Sequence, residues 1–387
     1  MGFYNTITIL SMSLNKMRDL LFISFIGLFL LFSCKKKGCT DPLSFNYDEN
    51  AKVDDGSCEY GKPYELEIPP LFSQYILPPV IPNDNPLTVE GIQLGRKLFY
   101  EPMLSADNSQ SCSDCHSLSN AFTDVNQFST GIDNISGDRN SMPLFNLAWN
   151  WNNNFFWDGR ASSLENQAFE PVVNPIEMHE TWPDAVAKLQ NDNAYPNLFK
   201  SAFGTCIIDS VFVSKALSQF ERTLISGNSK FDRHQLHLEN LTIFELEGYD
   251  IYRDETKGDC IHCHGDVSNP LWTDNEFHNN GLDATFTDLG LGAITGDPAD
   301  IGLFKTPSLR NLAFTAPYMH DGRFEELSDV ILHYSIGLVN SPTIDALMKK
   351  VNQGGVGLTP GEMMKLELFL LTLSDSSFIT NSNFSKP

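Results

Sequence analysis

The stretch "GDCIHCHGD" at residues 258–266 places two cysteines and two histidines within five positions. An earlier stretch, "SCSDCHS" at 111–117, repeats part of it: Cys112, Cys115 and His116 match Cys260, Cys263 and His264 in spacing and order. His262 has no counterpart in the first copy and is read as incidental. What these two copies hold decides how the rest of the chain is read.

A structural zinc site usually draws four protein ligands from two separated pairs. Each copy here offers three, too close together to close a tetrahedron easily. A dithiol redox pair would use the cysteines but leave the following histidine unexplained twice. Two thiols spaced to reach two vinyl groups, followed at once by a histidine that can ligate iron, form the attachment signature of c-type haem. With 8 cysteines and 9 histidines in 387 residues, a given cysteine has this pattern after it by chance about once in 2,000. Two copies therefore predict two covalently bound haems, one on Cys112, Cys115 and His116, the other on Cys260, Cys263 and His264.

The chain is long enough for about two domains, and its 41% apolar and 19% charged residues are normal for a globular protein. The formal charge of −23 excludes a nucleic-acid partner, because phosphates are met by clustered Lys and Arg. A basic or apolar-faced protein partner fits better.

At the N-terminus, Lys16 and Arg18 precede an apolar run, Leu20 to Phe32, too short to span a bilayer comfortably. It ends in "LFSC", which resembles a bacterial lipobox with Cys34 as the lipidated residue, although Phe32 is bulky for that pattern. Residues 1–33 are expected to be a lipoprotein-type signal peptide, with an ordinary cleaved signal or an uncleaved anchor as alternatives. The expected location is the periplasm, with the membrane touched only through the lipid. Export permits disulfides, and "CTDPLSFNYDENAKVDDGSC" at 39–58 reads as a turn-rich acidic loop closed by Cys39 and Cys58. Its Asp41, Asp48, Asp54 and Asp55 suit a solvated loop better than a calcium site. Cys206, among apolar neighbours, is expected to be a buried free thiol.

Residues 61–86 carry seven prolines and read as a linker rather than an element, so that 34–86 comprise the lipid-anchored acidic loop and this linker. Thr88 is placed to cap a helix in "VEGIQLGRKLFYE", and further helical patterns fall at 182–190, 211–225, 242–253, 325–333 and 360–373. Alternating strand patterns are scarce. The intervals between helices are long and rich in Gly, Asn and Asp, which suggests loops organised by a large buried ligand. The fold class expected is mainly α.

The motifs "RNSMPLFNLAWN", "FFWDGRASSLENQ", "PVVNPIEM", "FERTLISGNSKFDR" and "FKTPSLRNLAFTAPYMHDGRFEELSDVILHY", together with the two haem motifs, resemble the bacterial di-haem cytochrome c peroxidases over roughly residues 87–375. The resemblance implies two cytochrome c-like domains, 87–236 with a peroxidatic haem and 237–380 with an electron-transfer haem. It implies Glu177 and Gln167 on the distal side of the first haem, where peroxide O–O cleavage needs a group to take and return a proton. It places Trp157 between the haems and assigns Asn140, Thr315 and Pro317 to a calcium ion, a hard cation suited to oxygen ligands.

The chain departs from the familiar peroxidases twice. They carry a displaceable histidine about sixteen residues after the first haem-binding histidine. Here "QFSTGIDNISGDRNS" has none, and no histidine lies between His116 and His179, so the first haem is expected to be five-coordinate without reductive activation. Their distal methionine on the second haem lies fourteen residues after the His of "PY-x-HDG", which is Tyr334 here, counted from His320. Tyrosine there is similar to the MauG-like enzymes, which oxidise residues of a protein partner; Met319 and His333 are rival ligands. The leading expectation is a peroxidase that reduces hydrogen peroxide with electrons from a small c-type cytochrome or similar donor. A MauG-like oxidase is the alternative, and a pure electron carrier, which has no use for an open iron, the third reading.

Overall fold

The computed structural model describes residues 35–387. The signal peptide and Cys34 lie outside the described residues. The described residues fall into two compact units, 35–60 and 61–387.

In the first unit, the short strands Lys37–Gly38 and Val53–Asp54 pair in parallel, and a disulfide joins Cys39 to Cys58. Its aspartates cap their own turns. Asp48 Oδ1 accepts from the Asn50 amide at 3.0 Å and Asp55 Oδ1 from the Ser57 amide at 3.1 Å, the Asx geometry that makes such residues turn formers.

The second unit is mainly helical, with one two-stranded antiparallel sheet of Phe277–His278 and Phe304–Lys305. Thr88 caps the helix Val89–Phe99 through the Gly91 amide. Helices Trp182–Asn191, Ser210–Glu221, Ile243–Arg253, Leu327–Leu332 and Pro360–Leu371 fall where the periodicity puts them. Two crossings repeat the same device. A Cβ on Gly95 would collide with the Ala216 carbonyl where Val89–Phe99 meets Ser210–Glu221, and one on Gly248 with the Lys365 carbonyl where Ile243–Arg253 meets Pro360–Leu371. Each haem motif thus follows a helix held against a later one at a glycine contact.

The two largest apolar clusters lie one around each crossing. Phe99, Phe122, Phe199 and Phe220 centre the first, which also takes in Phe378 and Phe384 from the C-terminal end. Tyr252, Trp272, Leu366 and Phe369 centre the second. Each such ring contributes about 1.5–3 kcal/mol by leaving water. Between them run polar ties: Asn146 Nδ2 donates to Ser226 O at 3.0 Å, Asn311 Nδ2 to Ser226 Oγ at 3.0 Å, and the Asp375 amide to Asn311 Oδ1 at 2.9 Å.

Two expectations are corrected. The proline-rich stretch is not all linker: Pro70–Tyr75 is helical, with a proline at its first position, where no N–H is needed. Its Phe72 is buried and meets Trp149 edge-on at 5.0 Å, so burial of one aromatic overrides a turn-rich composition. Cys206 is exposed rather than buried. It follows the left-handed Gly204 that ends Tyr195–Phe203, in a loop whose Ile207 also faces water.

Candidate active site

Both haem motifs form single helical turns, Cys112–Cys115 and Ile261–His264. Helical winding brings cysteines three apart onto one face. Burial pushes the Cys115 thiol up to about 11, the Cys260 thiol up to about 12 and Cys112 higher still. Thiols so disfavoured as thiolates are poor redox nucleophiles, which removes the remaining appeal of the dithiol reading.

The His116 ring is oriented by its backbone. Its Nδ1 donates to the Phe122 carbonyl at 2.8 Å, which leaves Nε2 with the lone pair that a metal takes. Burial also holds its pKa below the ordinary value, so the ring is neutral. His264 is pushed down to about 4 by burial. Both imidazoles are in the protonation state that binds iron.

Cys260, Cys263 and His264 line a cavity of about 210 Å³ whose other walls include Leu312, Ile331 and Leu370. An apolar slot with two thiols and a neutral imidazole on one side fits a porphyrin that is bonded through vinyl groups and ligated by histidine. Tyr334 and Met319 also line it, and His333 is not among the lining residues. His333 instead places Nε2 3.4 Å from the Asn280 carbonyl and packs near Phe324. Tyr334 sits in a single π turn, His333–Gly337, a local widening often found at functional positions. Asn280 Nδ2 lies 3.1 Å from the Tyr334 hydroxyl and 3.6 Å from Met319 Sδ, so one amide serves both rival ligands. Burial pushes the Tyr334 phenol up to about 12. Only a cation at its oxygen would hold it ionised. Nothing in "HNNGL" marked Asn280 beforehand.

Glu177 lies in the turn after the helix Leu164–Val173, which carries Gln167. Its Oε1 accepts from Asn174 Nδ2 at 2.6 Å. Burial raises its pKa, with the Asn174 hydrogen bond opposing. The Gln167 Oε1 is buried without a hydrogen-bond partner, as expected of a group that faces a missing ligand. Ile132, sixteen residues after His116, donates its amide to the Glu177 carbonyl at 3.0 Å. This histidine-free loop is thus fastened to the turn that carries Glu177.

Trp157 is buried, lines the same cavity, and donates Nε1 to the Asn140 carbonyl at 2.8 Å. Asn140, Thr315 and Pro317 share that wall. Asn140 Nδ2 points at the carbonyls of Asn126 and Gln127, 3.3 and 3.2 Å away, which leaves its Oδ1 for a hard cation. His262 is not among the lining residues and pairs with Asp259, which is, at 3.0 Å.

A helical chain with two Cys-x-x-Cys-His turns, one of them opening on an apolar cavity with a tryptophan in its lining, has the features of a di-haem c-type oxidoreductase. Residues 89–240 match the family model for di-haem cytochrome c peroxidase. The chain is 35% identical over 274 residues to the methylamine utilization protein MauG of Methylophilus methylotrophus, spanning 70% of this chain and 79% of that one. It is 33% identical over 251 residues to the cytochrome c551 peroxidase of Nitrosomonas europaea, spanning 64% and 73%. A solved MauG-like protein associated with microbial copper homeostasis superposes with a TM-score of 0.75 at 34% identity, over 84% of this chain and 99% of that chain. The protein belongs to the di-haem cytochrome c peroxidase family, a family of enzymes, and two haems are implied.

Proposed function

We propose that this protein reduces hydrogen peroxide to water at a haem held by Cys112, Cys115 and His116, with electrons that enter through a second haem at Cys260, Cys263 and His264 from a small c-type cytochrome or similar donor. When bound, the first haem supplies an open iron position for the peroxide. Glu177 takes the proton from the near oxygen and returns it to the leaving one, so that two electrons and two further protons complete two waters. Gln167 holds the peroxide by hydrogen bonding, and Trp157 forms part of the path between the haems. The observation that carries this reading is Glu177 itself, a half-buried carboxyl with a raised pKa and a single side-chain hydrogen bond, fastened to a loop that has no histidine between His116 and His179.

The same reading takes 87–236 and 237–380 as the two haem domains, with calcium at Asn140, Thr315 and Pro317. It places the protein in the periplasm, anchored through Cys34. Among the described residues no helix is long and apolar enough to cross a membrane.

A second reading, MauG-like oxidation of a protein partner, is favoured by Tyr334, whose phenol shares the cavity with His264. A phenolate favours ferric iron over ferrous, which disfavours electron entry from an ordinary cytochrome. Steady-state turnover with peroxide and a reduced c-type cytochrome separates the two. Sustained cytochrome oxidation supports the peroxidase, whereas stored oxidising equivalents that a reduced cytochrome discharges slowly support the MauG-like enzyme.

A further inference from the structure

Lys305 is an unusual lysine. It is 5% exposed, and its ammonium has a single hydrogen bond, to the Asn154 carbonyl at 3.1 Å. Among the described residues no carboxylate pairs with it. Its backbone amide donates to the Trp157 carbonyl at 2.9 Å, so it is fastened beside the tryptophan in the cavity wall. Among the residues lining that cavity it is the only Lys or Arg. Burial pushes it down to about 8.

A buried ammonium with one neutral acceptor is costly, and proteins retain such groups where an anion completes them. The porphyrin of a c-type haem carries its two propionates on the edge away from the two vinyl carbons that bond the cysteines. An apolar slot entered from Cys260 and Cys263 therefore has to meet carboxylates at its far edge. We propose that Lys305 is the counter-ion of a propionate of the haem attached at Cys260 and Cys263, and so helps to set that haem's potential. The proposal depends on the reading that a haem is attached there.

The competing account is water. Lys305 also borders a neighbouring cavity of about 50 Å³, lined in part by Asn150, whose Oδ1 is buried without a partner. That space can hold water, which would satisfy the ammonium without the cofactor. The two accounts differ in what replaces the missing acceptors.

The deciding experiment is a crystal structure of the unaltered holoprotein, after intact mass has shown two haems. Lys305 Nζ about 3 Å from a propionate oxygen is expected. Lys305 bound only to Asn154 and water, with both propionates elsewhere, overturns the proposal and leaves the di-haem reading intact. A mass lacking the second haem overturns both. In the Lys305→Gln variant that retains both haems, the second haem's midpoint potential should fall, because loss of a nearby cation favours ferric iron, and Lys305→Arg should restore it. An unchanged potential in Lys305→Gln also overturns the proposal.

Discussion

At the scale of single residues, the family motifs divide into side chains that face the cofactor sites and side chains that hold the protein together. The proposed function puts Glu177 in the first group. Glu177→Gln keeps the size and the Asn174 contact but removes proton transfer, so peroxide decay by the ferric protein should slow about a hundredfold or more, with both haems retained. Stopped-flow decay at matched haem content measures this. Tyr334 is the second such position. Tyr334→Phe should abolish a phenolate-type low-spin signal in the electron paramagnetic resonance of the ferric protein and raise the second haem's potential. An unchanged spectrum makes Met319 the ligand, since its sulfur is reached by the same Asn280 amide. The count from His320 marked Tyr334, but no local signal marked Asn280 or Lys305, because their significance comes from what tertiary packing puts beside them.

At the scale of elements, the helix Ser210–Glu221 carries an untypical burden. Its Glu221 is 4% exposed, its Oε2 has no hydrogen-bond partner, and burial pushes its pKa up to about 8. Between the ordinary carboxylate value and about pH 8 the folded protein holds a proton there that the unfolded chain has released. Stability contributed by that proton is present at low pH and is lost as pH rises through this window, at up to about 1.4 kcal/mol per pH unit. Glu221→Gln should therefore melt at a higher temperature than the parent at pH 8, and the difference should close by pH 5. Calorimetry of the holoprotein at both values measures the gap. The helix was legible from its apolar period, but the buried acid was not, since periodicity says which face turns inward and nothing about how a charge on it is met.

At the scale of the whole molecule, Arg310 ties distant motifs together. It donates from both terminal nitrogens to Asp232, at 2.7 and 2.8 Å, and from Nε to the Pro270 carbonyl, with both side chains essentially inaccessible. Arg310→Met leaves the Asp232 carboxylate buried and unpaired, which should cost about 3–5 kcal/mol in denaturant unfolding. A loss below about 1 kcal/mol would show that water reaches the carboxylate. By itself the sequence determined the two Cys-x-x-Cys-His turns and the main helices, because covalent spacing, helical period and capping act within a few residues of one another, whereas Glu177 was marked only by resemblance to a family. Only the tertiary structure decided that Phe72 packs under Trp149 within a proline-rich stretch and that Cys206 faces water. It alone decided that Tyr334 and Met319 share one amide while His333 turns elsewhere, and that Lys305 is left with a single acceptor beside Trp157. Each of these depends on which groups far apart in the chain are brought together, and burial, not local preference, sets the energy of a ring, a thiol or a charge.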